Sequence, residues 1–227
     1  ETISEFVKEN NVDVGFAFDG DGDRVLAVDA KGNIVDGDKI MFILAKHLKE
    51  QGELKDNMVV STVMSNIGFY KAVEENGLQS VKTAVGDRYV VEEMRKNDYS
   101  LGGEQSGHIV LMNYATTGDG ILTAVKLANI IKTSGKSLEE LASEVSIYPQ
   151  KLVNIKVVDK KTAMEDAEIL AECEKVEKEL EGNGRILLRA SGTENLIRVM
   201  VEASSDELTD KYCDQVAKIV REKFEVK

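Results

Sequence analysis

DKIMFILAKHLKEQGELKDNMVVST, residues 38–62, sets the architecture. Within it Lys39–Lys49 carries Ile40, Ile43, Leu44 and Leu48 at the spacing of one helix face, and Met58–Thr62 follows as a strand rich in β-branched residues. The alternation then continues. Gly68–Asn76 reads as a helix closed by Gly77, Val81–Thr83 as a strand, and Tyr89–Lys96 as a helix. Leu101–Gly103 and Ile109–Met112 read as short strands, and Ile121–Lys132 as a helix with Asp119 at its N-cap. Ser137-Leu138-Glu139-Glu140 is a capping box opening one more helix. Helices and strands alternating in this way predict a layered α/β domain with a largely parallel sheet.

Upstream, Glu1–Asn10 reads as a short helix and Val12–Phe18 as a buried strand running into an acidic loop. Val25–Asp29 and Asn33–Val35 form a hairpin around Lys31-Gly32. This piece is too small to bury a core alone. Downstream, Pro149 is the only proline, and it places a domain boundary at Tyr148–Gln150. Beyond it come strand Leu152–Val158, helix Ala163–Leu180, strands Arg185–Arg189 and Ile197–Glu202, and helix Glu207–Phe224. The order βαββα predicts a small α+β domain with helices on one face of an antiparallel sheet.

Composition narrows the function. The 227 residues are 42% hydrophobic and 31% charged, too apolar for a disordered chain. The net charge of −12 argues against a nucleic-acid groove, which needs a basic face. An anionic small substrate would need local arginines, backbone N–H groups or a metal working against that field. Cys173 and Cys213 show no CxxC spacing and lie in predicted helices, so they read as buried free thiols of a reducing compartment. No apolar run approaches a membrane span, and Glu1-Thr2-Ile3-Ser4 has no signal-peptide character.

Four loops carry chemistry. Asp19-Gly20-Asp21-Gly22-Asp23-Arg24 alternates three carboxylates with glycines directly after a strand. Such carboxylates can converge on a hard cation, Mg²⁺ or Ca²⁺; an acidic surface turn is the plain alternative. An EF-hand is excluded, because Arg24 and Ala30 stand where that loop needs Gly and Glu. Gly102-Gly103-Glu104-Gln105-Ser106-Gly107-His108 can aim an acceptor and a hydroxyl at sugar hydroxyls, with His108 as a group that moves a proton. An ordinary polar turn is its alternative, and His47 reads as a solvated histidine of a Lys-rich helix. Arg189-Ala190-Ser191-Gly192-Thr193-Glu194-Asn195, followed by Arg198, offers guanidinium, hydroxyl and backbone donors for a phosphate, or is a simple hairpin turn. Val85-Gly86-Asp87-Arg88-Tyr89 places Arg88 at a helix mouth that attracts anions, unless Asp87 merely caps that helix.

In this order the four loops resemble those of the α-D-phosphohexomutase family, whose four domains each lend a loop to a central cleft. The GEQSGH and VGDRYV wording, with the TTGDG run at Thr116–Gly120, is most similar to the phosphoglucosamine mutase branch. The resemblance implies three parts: residues 1–35 as the end of a domain 2 bearing the metal loop, 36–148 as a three-layer α/β domain 3 with the sugar loop, and 149–227 as an α+β domain 4 with the phosphate loop. It implies Mg²⁺ held by Asp19, Asp21 and Asp23, with Arg24 neutralising a transferring phosphoryl group. Glu104 and Ser106 would hold sugar hydroxyls, Arg88 would bind substrate, and His108 is the candidate general acid/base. Arg189, Ser191, Gly192, Thr193 and Arg198 would clamp the phosphate that is not reacting.

The implied activity is isomerisation of glucosamine 6-phosphate and glucosamine 1-phosphate through a phosphoserine enzyme and a bisphosphate intermediate, feeding UDP-N-acetylglucosamine and peptidoglycan synthesis. A phosphomannomutase/phosphoglucomutase or a non-catalytic sugar-phosphate binding module are the alternatives. The implied partners are a phosphorylated amino sugar and the N-terminal domains of the same chain, with no nucleic acid and no membrane, in the cytoplasm. Two departures stand out. The family's phosphate loop usually has proline where Ala190 and Asn195 stand here. The family's phosphorylated serine, set in a Ser-His motif of domain 1, has no counterpart in these residues, so the chain alone is expected to be inactive.

Overall fold

The structure is a computed structural model and describes residues 2–226. The chain divides between Ser146 and Ile147 into two compact units.

The first unit opens with helix α1, Thr2–Asn10; Glu1, where the helix was expected to begin, lies outside the described residues. Strands β1 (Val14–Phe18), β2 (Val25–Asp29) and β3 (Ile34–Val35) form an antiparallel sheet in the order β1-β2-β3. Phe18 pairs with Val25, so the acidic loop is the connection of a β1–β2 hairpin, a pairing not read from the sequence. The second sheet contains β4 (Met58–Thr62), β5 (Gln79–Thr83), β6 (Leu101–Gly103) and β7 (Ile109–Leu111), in the order β5-β4-β6-β7. β4 runs parallel to β5 and β6, and only β7 is antiparallel.

Successive strand residues point to opposite faces, and both faces are covered. Val59, Leu101 and Ile109 join the main core with α2 (Gly37–Gln51), α3 (Ile67–Glu75), α5 (Gly120–Ser134) and α6 (Leu138–Ala142). Val60 and Val110 pack against Val90 and Met94 of α4 (Asp87–Asn97) on the other side. Helix α2 departs from its expected single apolar face: Met41, Phe42 and Ala45 are as buried as Ile40 and Leu44. A helix hydrophobic all round belongs inside a layer, and α2 contacts sheets and helices alike. The expected caps form, with Asp119 accepting from Leu122 N and Ser137 exchanging bonds with Glu140.

The second unit contains β8 (Gln150–Lys156), α7 (Lys160–Met164), α8 (Ala167–Leu180), β9 (Gly184–Ala190), β10 (Leu196–Ala203) and α9 (Asp206–Phe224). Its antiparallel sheet has the order β8-β10-β9. Ile197, Val199 and Val201 pack with Ile169 and Val176 of α8 and Val216 and Val220 of α9. The single helix expected over 163–180 is two, because the Asp166 carboxylate accepts from the N–H groups of Glu168 and Ile169 and starts a new helix there. Both cysteines are free; burial pushes each thiol up to about 11, so neither is a ready thiolate. Among the described residues no helix is long and apolar enough to cross a membrane.

On the sheet face opposite α8 and α9, Arg185 faces Glu202. Its Nε and Nη2 donate to the two carboxylate oxygens at 2.8 and 3.1 Å, and Glu202 is fully buried. Removing one partner of a buried pair costs roughly 3–5 kcal/mol. Glu202→Ala should therefore lower the unfolding free energy of the 147–227 unit by that order, read as a fall in the urea midpoint by circular dichroism, whereas replacing both residues by apolar ones should cost much less.

Candidate active-site loops

In the first unit the loops after β4, β5 and β6 all emerge at the carboxyl ends of parallel strands, where ligands of open α/β sheets bind. The β1–β2 hairpin loop is sewn to the loop after β6. Val25 N donates to Gly107 O at 3.1 Å, and Arg24 and His108 form an antiparallel bridge. Gly107 has φ +94, and a Cβ there would lie 2.3 Å from Val25 O, so only glycine permits this approach. The junction is closed by His108, 4% exposed, whose Nδ1 lies 3.1 Å from Asp23 Oδ2. A carboxylate only accepts, so Nδ1 is the donor in this contact, and whenever the ring is neutral Nε2 is left as an acceptor. That Nε2 is buried and has no hydrogen-bond partner among the described residues.

The three carboxylates do not gather as expected. Asp19 Oδ1 turns back on its own loop, accepting from Gly22 N at 3.0 Å and Arg24 N at 3.4 Å, while Asp23 turns to His108 and Asp21 stays exposed. Burial pushes the Asp19 carboxyl up, but hydrogen bonds from the Arg24 and Gly22 N–H groups, the neighbouring Asp23 carboxyl and the Arg24 charge hold it below the usual carboxylate range. Among the described residues no three His, Cys, Asp or Glu side chains come close enough to hold a metal ion. Asp19 and Asp23 bring their carboxyl groups close together, and Asp21 is the exposed one that does not join them in a three-carboxylate cluster. The donor chemistry still fits a hard cation, and the buried Asp23 Oδ1 lacks a partner that a cation would supply.

Arg24, Asp19, Phe18 and Ser106 line one open hollow of about 270 Å³. Glu104 is half-buried and its Oε1 accepts from Gly86 N at 3.2 Å, which brings the Val85–Tyr89 turn beside the sugar-type loop. Arg88 is exposed there, its guanidinium 4.6 Å from the Tyr89 ring centre. Gln105 is held from beneath, its carbonyl accepting from Gly37 N and its amide lying 3.5 Å from Asp36 Oδ2. Burial pushes the Asp36 carboxyl up. A cleft of about 320 Å³ between α2 and α5 holds His47 and none of the residues singled out above; His47 is half-buried, not solvated.

Sequence reasoning used Thr116–Gly120 as a mark of resemblance and Asp119 as a helix cap but placed none of it at the site, and this run lies against both loops. Gly120 N donates to Gly22 O at 3.0 Å, and Gly118 lies flat on the His108 ring. The pair of glycines at 118 and 120, flanking the Asp119 cap, was the available signal.

In the second unit Arg189 and Arg198 are register partners, on the same sheet face as Arg185 and Glu202. One end of that face is neutralised and the other is left doubly positive. Burial and the Arg198 charge hold the Arg189 guanidinium below its ordinary value, and Arg198 Nε is buried without a partner. Ser191 is buried and its Oγ accepts from Glu194 N at 3.3 Å. The N–H groups of Gly192 and Thr193 have no partner among the described residues. Lys160, which sequence reasoning missed, donates from Nζ to Ser191 O at 2.8 Å.

Comparison with known proteins decides the family. Residues 36–148 match the model for phosphoglucomutase/phosphomannomutase, alpha/beta/alpha domain III, and residues 152–219 match that for the C-terminal domain. The chain belongs to the phosphohexomutase family. It is similar to the phosphoglucosamine mutase of Anoxybacillus flavithermus, 61% identical over 224 residues that cover 99% of this chain and 50% of the relative. The phosphoglucosamine mutase of Bacillus subtilis is 59% identical over 221 residues, 97% and 49% of the two chains. The chain thus spans about half the length of the curated relatives it matches. Its fold is similar to that of Aspergillus fumigatus N-acetylphosphoglucosamine mutase, with TM-score 0.81 and 22% identity over 96% of this chain and 52% of that one. A further structure of that fungal enzyme, TM-score 0.77, 22% identical over the same shares, is a complex with GlcNAc-6P and magnesium.

A Cβ on Gly118 would lie 2.4 Å from both Cε1 and Nε2 of His108. Gly118→Ala must therefore displace the ring or the loop, at an overpacking cost of about 1–3 kcal/mol. The chain has two histidines. In imidazole NMR spectra the His108 signals should shift and its Nδ1–H should lose protection, while those of His47 stay in place.

Proposed function

We propose that the full-length protein is a phosphoglucosamine mutase that interconverts glucosamine 6-phosphate and glucosamine 1-phosphate through a phosphoserine and a bisphosphate intermediate. The observation that supports this reading is the Asp23–His108 hydrogen bond, which ties the acidic hairpin to the Glu104–His108 loop at one sheet edge. The names of relatives about 60% identical along the whole chain support the choice of hexose.

Phosphoryl transfer asks the protein for positioning and charge neutralisation more than for covalent chemistry. Arg24, exposed in the hollow it shares with Ser106, neutralises the phosphoryl group in flight. Glu104 accepts from, and Ser106 exchanges hydrogen bonds with, sugar hydroxyls; Arg88 adds charge at the mouth of α4. His108, its Nδ1–H fixed on Asp23, takes and returns the hydroxyl proton at Nε2. Arg189 and Arg198, with the free N–H groups of Gly192 and Thr193, hold the second phosphate. Asp19, Asp21 and Asp23 would hold Mg²⁺, which when bound supplies positive charge for the phosphate oxygens. The proposed setting is the cytoplasm, with the remaining domains of the same chain as partners and residues 1–35 as the end of the domain before.

The test is a substrate panel with the full-length protein. Glucosamine 6-phosphate should turn over with a kcat/KM about 100-fold or more above glucose and mannose phosphates, a margin of the size that a site built to bond a particular polar substituent can reach. The 227-residue chain alone should give no turnover. A full-length protein that preferred mannose 1-phosphate, or robust turnover by the chain alone, would contradict the proposal.

A further inference from the structure

The loop read above as a phosphate clamp raises a physical problem. Strands β9 and β10 stay in register up to Ala190 and Ile197, and Ser191 N donates to Leu196 O at 2.9 Å. Beyond that closing bond the backbone of 191–195 leaves the ladder. Its donors must face a ligand, so they cannot be spent on holding the loop together. Ala190 and Asn195 fix no backbone angle, as a ring at either position would. A loose loop would have to be ordered by the ligand itself, and that ordering subtracts from affinity.

The constraint comes from a neighbouring segment, residues 157–160. The Asn195 side-chain amide donates to Val157 O at 2.9 Å and to Val158 O at 3.0 Å, and Val157 N returns a bond to Asn195 O at 3.1 Å. At the other end of the loop Lys160 Nζ donates to Ser191 O at 2.8 Å and lies 3.5 Å from Glu194 O. The segment is itself anchored. Val157 is fully buried, Val158 N donates to Phe224 O at 3.0 Å, and Asp159 accepts from Lys161 N at 2.9 Å. The Lys160 ammonium also adds a third positive charge beside Arg189 and Arg198, and it does so while occupied with carbonyl oxygens, leaving the loop's N–H groups free.

We propose that Lys160 and Asn195 are positioning residues that splint the Ser191–Asn195 loop in its anion-binding conformation. The inference rests on the phosphate-clamp reading of that loop, and the experiment separates the two. It uses the 227-residue chain and inorganic phosphate as the probe, with amide exchange at Ser191 and Glu194 measured in free protein and phosphate titrations followed at the Gly192 and Thr193 amides. Lys160→Met and Asn195→Ala should each speed exchange and weaken phosphate binding about 10-fold, the loss expected for one net hydrogen bond. Asn195→Pro, which restores constraint through a ring, should keep both within about twofold of the parent. Arg189→Ala should abolish phosphate binding and leave exchange in the free chain unchanged. If Arg189→Ala binds phosphate as the parent does, the clamp reading is wrong. If Arg189→Ala loses binding while Lys160→Met and Asn195→Ala leave both readouts at parent values, the splint is overturned and the clamp stands. Asn195→Pro exchanging as fast as Asn195→Ala would also overturn it.

Discussion

One hydrogen bond, from the buried imidazole of His108 to the carboxylate of Asp23, holds together two loops that the chain separates by 85 residues. The rest of the first unit's site depends on it. It is the side-chain link beside three backbone ones, Val25 N to Gly107 O, the Arg24–His108 bridge and Gly120 N to Gly22 O, while Asp19 Oδ1 is turned inward on its own loop. The histidine gains from the same contact: a buried ring with one nitrogen satisfied keeps one tautomer and one orientation. Gly107 and Gly118 make that burial possible by presenting bare backbone on two sides of the junction, one against Val25 and the other against the ring.

The second unit solves a different electrostatic problem with the same sheet. Along one face of the β9–β10 pair, Arg185 meets Glu202 and Arg189 meets Arg198, with one residue pair of the same face between them. The first pairing is satisfied within the protein and its carboxylate is fully buried. The second leaves two guanidinium groups adjacent, a destabilising arrangement unless an anion joins them. A protein that holds an unpaired positive pair next to free N–H groups has stored binding energy for an anionic ligand. Lys160 strengthens the local field without consuming those donors, and the overall charge of −12 makes this local concentration of positive charge all the more necessary.

The sequence announced much of this. Periodicity located nearly every helix and strand because each lies in a layer with one dry side, and Asp119 and Ser137 acted as the caps their chemistry indicates. Three features were less visible. The burial of every residue from Ile40 to Ala45 in α2 was hidden because Lys39, Lys46 and Lys49 suggested a helix with one solvent-facing side. The break at Asp166 was hidden by an apolar rhythm that continues across it, although an aspartate before a helical turn was a usable sign. At the site, the residue types pointed to a metal, a sugar and a phosphate; the Val85–Tyr89 and Gly102–His108 loops follow parallel strands, and the other two connect antiparallel ones. What periodicity and motif could not supply were contacts between segments distant in sequence: the Asp23–His108 bond, the packing of Gly118, and the approach of Lys160 to Ser191. Such contacts are set by tertiary register, and the motif residues gave only one partner of each pair.

The central claim is that the acidic hairpin and the Glu104–His108 loop act as one unit through Asp23 and His108. A double-mutant cycle on kcat/KM of the full-length enzyme tests it most directly, using Asp23→Asn, His108→Gln and the double variant with glucosamine 6-phosphate. The account requires strong coupling: the double variant should be no more impaired than the worse single one, because each change alone already breaks the shared unit. If the two penalties instead multiply, adding to within about 0.5 kcal/mol as independent sites do, the two loops work separately and the account is wrong.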